Sequence, residues 1–335
     1  MKLFFGVESP QAATTRYRVV IPARPLEARG HIIRVATKVD LGKAQEDFGF
    51  DLVMLQRNST GDTLRFINEM RNRTIPVGYD LDDDLFHIDT WNPVFGLYMS
   101  RPDIPWHQTM AIRFCDGVVV STQPLAEIYS MINPKIRVAP NHVDLKEWES
   151  NPFPNFSFGD RTVLVWAGSN THADSLALMG EALKQALLQR PEAILVLMGL
   201  DENPFPFIPK SQLAMFGWSV YPNYQALLAA SHIGLAPLYP STFNASKSDL
   251  RVKEYASAKL AIVGSPFGEY GSAIESAGGI VCDNVSEWAR AFLDLIDHPA
   301  DRKSRGQAAY EWVRKWNIWD AGDVFLDAWQ SCTNG

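Results

Sequence analysis

The chain has 335 residues, of which 46% are hydrophobic and 21% charged, and it carries a net charge of −7. That is the composition of a folded globular protein long enough for two domains of roughly 150 residues. The acidic balance argues against nonspecific binding to nucleic acid or anionic membrane, which calls for a basic face.

The segment MKLFFGVESP lacks the apolar stretch and small-residue cleavage site of a secretory signal. No window reaches the roughly 18–20 apolar residues of a membrane-spanning helix. The expectation is a cytoplasmic protein without a transmembrane segment. Cys115, Cys282 and Cys332 are far apart and join no Cys/His cluster, so neither a zinc site nor a disulfide framework is expected.

In chain order, short apolar runs predict strands over 2–7, 31–37, 51–57, 74–82, 117–122 and 135–141. After a break they resume over 162–169, 193–199, 233–238, 260–265 and 278–283. Helical patterns lie between them, and such alternation predicts βαβ units, parallel sheets and right-handed crossovers. The break at 144–161 is aperiodic and rich in Pro, Asn, Ser and aromatics, the mark of a linker. The expected fold is therefore α/β, two doubly wound Rossmann-like domains facing across a cleft, over 1–150 and 151–305. Helices over 306–335 carry Tyr310, Trp312, Trp316, Trp319, Phe325 and Trp329, and are expected to pack across the domain interface. Ligands in such sheets sit at the carboxyl ends of the strands, which would line the cleft.

Four stretches carry candidate chemistry. In FNASKSDLRVKEY (243–255), Asn244 or Ser246 is expected to cap a helix starting near Lys247, with Lys247, Arg251 and Glu254 at i, i+4 and i+7 on one stripe. Two cations and an acid suit a sugar nucleotide: the cations face the diphosphate, and the acid accepts from a ribose diol. The same spacing also serves a solvated face with ordinary ion pairs. In TVLVWAGSNTHADSL (162–176), a strand runs into Gly168-Ser169 and a helix start, a turn that can cradle phosphate, with His172 in the first turn beside the donor. No GxGxxG or Walker A pattern is present, so dinucleotide or ATP binding is not expected.

In GYDLDDDLFHID (78–89), Asp80, Asp82, Asp83 and Asp84 cluster at a strand end, with His87 beyond. Alternate side chains of a strand point to opposite faces, whereas a hard cation needs convergent carboxylates, so no metal is expected. A polar wall for acceptor hydroxyls, or helix capping, is the expected role, and His87 is a candidate base. In TTRYRVVIP (14–22), Arg16 and Arg18 flank Tyr17 and can meet donor phosphates across the cleft, or be solvated charge.

Together these stretches resemble the retaining GT-B-fold glycosyltransferases of the family-4-like group (glycosyl transferases group 1), in a bacterial and phage branch. The pieces, in chain order, are Tyr17-Arg18 with Pro22, the acidic run from Tyr79 to Phe86, Ser121-Thr122 with Leu125, and Pro140-Asn141 with Asp144 and Trp148. Gly168-Ser169 with His172, and the run from Phe243 to Tyr255, complete them. The resemblance implies a nucleotide-sugar donor, UDP- or GDP-linked, in the C-terminal domain and a hydroxyl acceptor at the N-terminal domain. It implies retention of configuration, with no metal and no cofactor.

Lys247 and Arg251 would then meet the diphosphate, with His172 and Arg18 assisting, and Glu254 would meet the ribose. Gly168-Ser169 would form the phosphate cradle, with Asn244 and Ser246 beside the donor. Tyr17, Asp80, Asp82, Asp83, Asp84 and His87 would lie on the acceptor side. The chain departs from the group at Ser246, where a glutamate often stands, and at Lys259, where a glycine does. The acceptor class stays open among glycan, lipid-linked sugar, protein and modified DNA base. A nucleotide-sugar epimerase, or a catalytically silent sugar-nucleotide or glycan binder, shares the architecture.

Overall fold

The computed structural model describes residues 1–37, 49–150, 156–218 and 222–333. Six parallel strands, β1 (Lys2–Val7), β2 (Ile32–Thr37), β3 (Leu52–Gln56), β4 (Val77–Leu81), β5 (Gly117–Val120) and β6 (Ile136–Val138), form a sheet in the order β2-β1-β3-β4-β5-β6. Six more, β7 (Thr162–Ala167), β8 (Ala193–Met198), β9 (Leu213–Phe216), β10 (Ile233–Ala236), β11 (Ala261–Gly264) and β12 (Ile280–Val281), form a second parallel sheet in the order β12-β11-β10-β7-β8-β9. β3, β4, β5, β7, β8, β10 and β11 are buried along their whole length, because helices cover both faces. That is why these strands read as continuous apolar runs rather than alternating ones.

The sequence pattern missed β9, a four-residue, half-buried edge strand with too short a run to stand out. Within the stretch expected to be a linker, Leu145–Ser150 is helical and residues 151–155 lie outside the described residues.

Each sheet has one point where strand order reverses, between β1 and β3 in the first and between β7 and β10 in the second. Crevices that bind ligands open at such points, beyond the carboxyl ends of the strands.

The helix Ile318–Gln330 returns to the first sheet, where the Trp329 ring meets Phe5 edge-on at 4.8 Å between centroids. Val143 and Asn317 pair in a short parallel bridge, and the Trp319 indole donates to Asp144 at 2.9 Å. Lys253, 1% exposed, donates to the Asn141 carbonyl at 3.0 Å and lies 3.5 Å from the Trp316 ring centre, tying the second lobe to the first. Lys259 has φ 58°, the left-handed region that glycine enters without strain, which accounts physically for a glycine at this turn in the resembling group. No helix among the described residues is long and apolar enough to cross a membrane.

Candidate functional site

A cleft of about 780 Å³ opens between the two lobes at both reversal points. The first lobe lines it with the segment after β1 (Glu8 in its loop, Arg16 and Tyr17 in the helical turn that follows), with Arg57 after β3, and with Asp82 and Asp83 after β4. The second lobe contributes Gly168, Ser169 and His172 after β7, Trp218 after β9, and Lys247, Arg251 and Glu254.

The local build of the second-lobe segment differs from the expected single stripe. Ser241, not Asn244 or Ser246, caps a short helix, Thr242–Ala245, its side chain accepting from the Asn244 amide at 3.2 Å. The chain then breaks, and a second helix runs over Leu250–Ser257. Asp249 precedes that helix without capping it, because Lys253 draws its carboxylate to 2.6 Å. Lys247 therefore reaches the cleft from a loop, and only Arg251 and Glu254 share the helix. Asn244 and Ser246 are buried beside the cleft but do not line it: Asn244 donates to the Tyr239 carbonyl at 2.9 Å and Ser246 to the Phe243 carbonyl at 2.9 Å.

Arg251 is the unusual group. It is 8% exposed, and its Nη1 has no hydrogen-bond partner among the described residues; its guanidinium carbon sits 5.2 Å from the Trp166 ring centre. A buried cation set against an aromatic ring, with no carboxylate at ion-pair distance among the described residues, is a ready anion contact. Gly168 permits this placement, since a β-carbon there would lie 2.6 Å from Arg251 Nη2 and 2.9 Å from Trp166. Gly199 (φ 92°) closes the turn from the other side, where a β-carbon would come within 2.2 Å of the Gly168 carbonyl oxygen. Beyond Gly168, where a helix start was expected, the chain makes a tight turn over Asn170–His172 and then one α-turn, Ala173–Leu176, so little helix dipole is aimed at the cleft. His172 lines the cleft, and burial, with the charges of Arg251 and Lys247, holds its pKa well below the ordinary imidazole range.

Glu254 accepts from the Tyr17 hydroxyl across the cleft and from the Tyr224 hydroxyl at 2.7 Å, so it already takes hydroxyl donors. Lys247 pairs with Asp83 at 2.5 Å, also across the cleft. Burial alone would raise Asp83, but the charges of Lys247 and Arg57 outweigh it and hold that carboxyl below the usual range. Arg57, which sequence reasoning missed, has φ 57° and lies 3.5 Å from Asp82 and 3.4 Å from Asp83. A left-handed non-glycine residue costs on the order of 1–3 kcal/mol and persists where its surroundings fix it. Its place beyond β3, at the reversal point, was the signal available in the sequence.

Arg18, expected to assist the donor, and Asp80, expected on the acceptor side, are not in the cleft. They form a fully buried two-pronged pair at 2.8 and 2.9 Å, with Arg18 also donating to the Ala139 carbonyl and the Asn141 side chain. The residues around Arg16–Val20 form a wide π-type turn that sends Tyr17 and Arg16 toward the cleft and Arg18 into the core. Arg16 pairs with Glu147. Asp84 is buried and caps its own turn, accepting from the Phe86 and His87 amides, while His87 bonds to it at 2.7 Å with half its side chain in solvent and does not line the cleft. Asp80 and Asp84 thus turn into the core to separate partners while Asp82 and Asp83 share Arg57, and no group of three or more His, Cys, Asp or Glu side chains among the described residues is arranged to hold a metal.

Breaking a buried pair leaves an uncompensated charge, so Arg18→Ala is expected to destabilise the fold by about 3–5 kcal/mol, measured by denaturant unfolding. A change under ~1 kcal/mol would deny the pair its structural role.

No family model matches the chain and no curated protein matches it in sequence. Its structure is similar to Anabaena HepE in complex with UDP, with TM-score 0.68 and 14% identity over 98% of this chain and 99% of that one. It is similar to an alpha-glucosyltransferase in complex with UDP, with TM-score 0.67 and 11% identity over 97% and 99%. A candidate UDP-N-acetylglucosamine 2-epimerase of Listeria monocytogenes aligns with TM-score 0.61 and 13% identity over 98% and 96%. The fold is GT-B. At these identities the similarity establishes the architecture, and function has to be argued from the cleft.

Proposed function

We propose that the chain is a glycosyltransferase that moves a hexosyl group from a UDP- or GDP-linked donor to a hydroxyl, with retention of configuration and without a metal. The observation that carries this is Arg251, a buried guanidinium with Nη1 unpartnered and no carboxylate at ion-pair distance among the described residues, set against Gly168 at the reversal point of the second sheet and facing a cleft that both lobes line. Solved structures of the same fold hold UDP and UDP-glucose, which supports the reading.

In this reading Arg251 and Lys247 hold the diphosphate, and Glu254 exchanges a tyrosine hydroxyl for a ribose hydroxyl. The acceptor oxygen bonds to the anomeric carbon as the sugar–phosphate C–O bond breaks. The bonding pair leaves on the nucleoside diphosphate, which also takes the acceptor proton. Charge builds on the leaving group, so fixed cations there stabilise the transition state more than the bound donor. Neutral His172 contributes a hydrogen bond to the donor sugar or its phosphate. The acceptor class, among glycan, lipid-linked sugar, protein or modified base, is set on the first-lobe wall.

The test is nucleotide release from a panel of UDP-, GDP-, ADP- and dTDP-sugars. Slow release from one donor is expected. Conversion of the sugar without release would make the chain an epimerase, and a shifted melting temperature with no chemistry would make it a binder. Activity is expected to persist in EDTA; a strict Mn²⁺ or Mg²⁺ requirement would contradict the metal-free reading.

A further inference from the structure

The first-lobe wall of the cleft holds an unevenly satisfied pair of carboxylates. Asp83 has Lys247 at 2.5 Å to itself and shares Arg57, at 3.4 Å, with Asp82. Asp82 lines the same cleft with 14% of its side chain exposed, yet its buried Oδ1 accepts no hydrogen bond among the described residues. Arg57 Nη1 lies 3.5 Å from that oxygen, too far for a good hydrogen bond. A buried carboxylate oxygen without a donor is costly, and in a binding cleft the donor it lacks is one a ligand can bring.

The surroundings narrow what that ligand carries. Three carboxylates, Asp82, Asp83 and Glu8, face two cations, Arg57 and Lys247, so the wall is within one charge of balance and neither an anion nor a further cation is called for. An anion would meet Asp82 and Asp83, with Glu8 near by on the same loop wall, and a cation would meet Arg57. Leu85, Ile88 and Val94 add apolar surface to this side of the cleft. Hydroxyl donors beside a carboxylate, together with C–H faces beside aliphatic side chains, are what a pyranose ring offers.

We infer that the acceptor is an uncharged polyhydroxy molecule, a sugar or sugar-like polyol, one hydroxyl of which donates to the Asp82 carboxylate. The inference rests on the glycosyltransferase reading and names its acceptor class. Asp82 is a positioning residue for the acceptor in this scheme. Burial pushes its pKa up to about 6, with the Asp83 charge adding and the Arg57 charge opposing, in keeping with a carboxylate short of donors.

The experiment uses the full chain and the nucleotide sugar it turns over. Nucleotide release is measured with three sets of probe acceptors: methyl hexopyranosides, hexosamines and hexose 6-phosphates. The uncharged glycosides are expected to raise release at least tenfold more than either charged set. With the best glycoside, Asp82→Asn is expected to raise the acceptor KM about tenfold with a smaller change in kcat, and Asp82→Glu to recover part of the loss. Affinity for UDP or GDP, read by calorimetry, is expected to stay within about twofold in both variants, and this also reports that they fold. Stimulation by the phosphates or hexosamines, stimulation by none of the three sets, or an unchanged KM in Asp82→Asn each overturns the inference while the donor reading stands. Absence of any nucleotide binding by the wild-type chain overturns both.

Discussion

Replacement of Arg251 by glutamine is expected to lower kcat/KM for the nucleotide-sugar donor by about 10²–10³-fold, the range seen when one preorganised charge-stabilising group is removed. The size follows from how Arg251 is held. It is buried in the cleft wall, its charge lies against the Trp166 ring with no carboxylate at ion-pair distance among the described residues, and Nη1 has no partner among them either. A leaving diphosphate would supply the missing counter-charge where water is largely excluded, so the interaction is worth more than a surface ion pair. Lysine should not substitute, because it lacks the planar fork that holds two phosphate oxygens.

Lys247→Ala is expected to cost less than Arg251→Gln, since Lys247 already has Asp83 at 2.5 Å and must exchange that partner. Steady-state kinetics of the three variants give the ranking. An Arg251→Gln enzyme with wild-type kcat/KM would place the donor elsewhere. Its stability should hold or rise, because the substitution removes a buried charge that Glu254 compensates only from beyond ion-pair distance.

Gly168→Ala is expected to weaken donor affinity by about 10–100-fold in a protein that still folds, and for a different reason. The new methyl group would lie 2.6 Å from Arg251 Nη2 and 2.9 Å from Trp166. Trp166 is fully buried, so the guanidinium is the part that has to move. The substitution thus acts through Arg251 without touching its charge. The double variant Gly168→Ala with Arg251→Gln is then expected to be little worse than Arg251→Gln alone, a strong departure from additivity between neighbours. Calorimetry of nucleotide binding across the four proteins measures it. Additive losses would mean that Gly168 contacts the donor on its own account.

The two parallel sheets were legible because their central strands are buried on both faces and read as unbroken apolar runs of four to six residues. β9 was not, being an edge strand of four half-buried residues. Lys247, Arg251, Glu254, Gly168, Ser169, His172, Tyr17, Asp82 and Asp83 were all named from sequence, and all line one cleft.

The failures have a common cause: spacing does not say which way a side chain turns where the helix is irregular. Arg18 and Tyr17 are neighbours, yet the π-type turn sends one into the core and the other to the cleft. Asn244 and Ser246 looked like caps or ligands, but their side chains close local bonds to Tyr239 and Phe243. Asp80 and Asp84 differ from Asp82 and Asp83 only in which partner the strand end offers them, an Arg18 fork or a pair of amides. Arg57 escaped notice because a lone arginine after a strand carries no motif; its backbone strain and its two carboxylates are visible only in three dimensions.

The most direct test of the account is a crystal structure of the chain soaked with UDP and, separately, with GDP. One of the two nucleotides is expected in the cleft between the lobes, with its diphosphate against Arg251 and the Gly168–Ser169 turn and its ribose at Glu254. A nucleotide bound away from Arg251, or a cleft that takes up neither one at millimolar concentration, would contradict it.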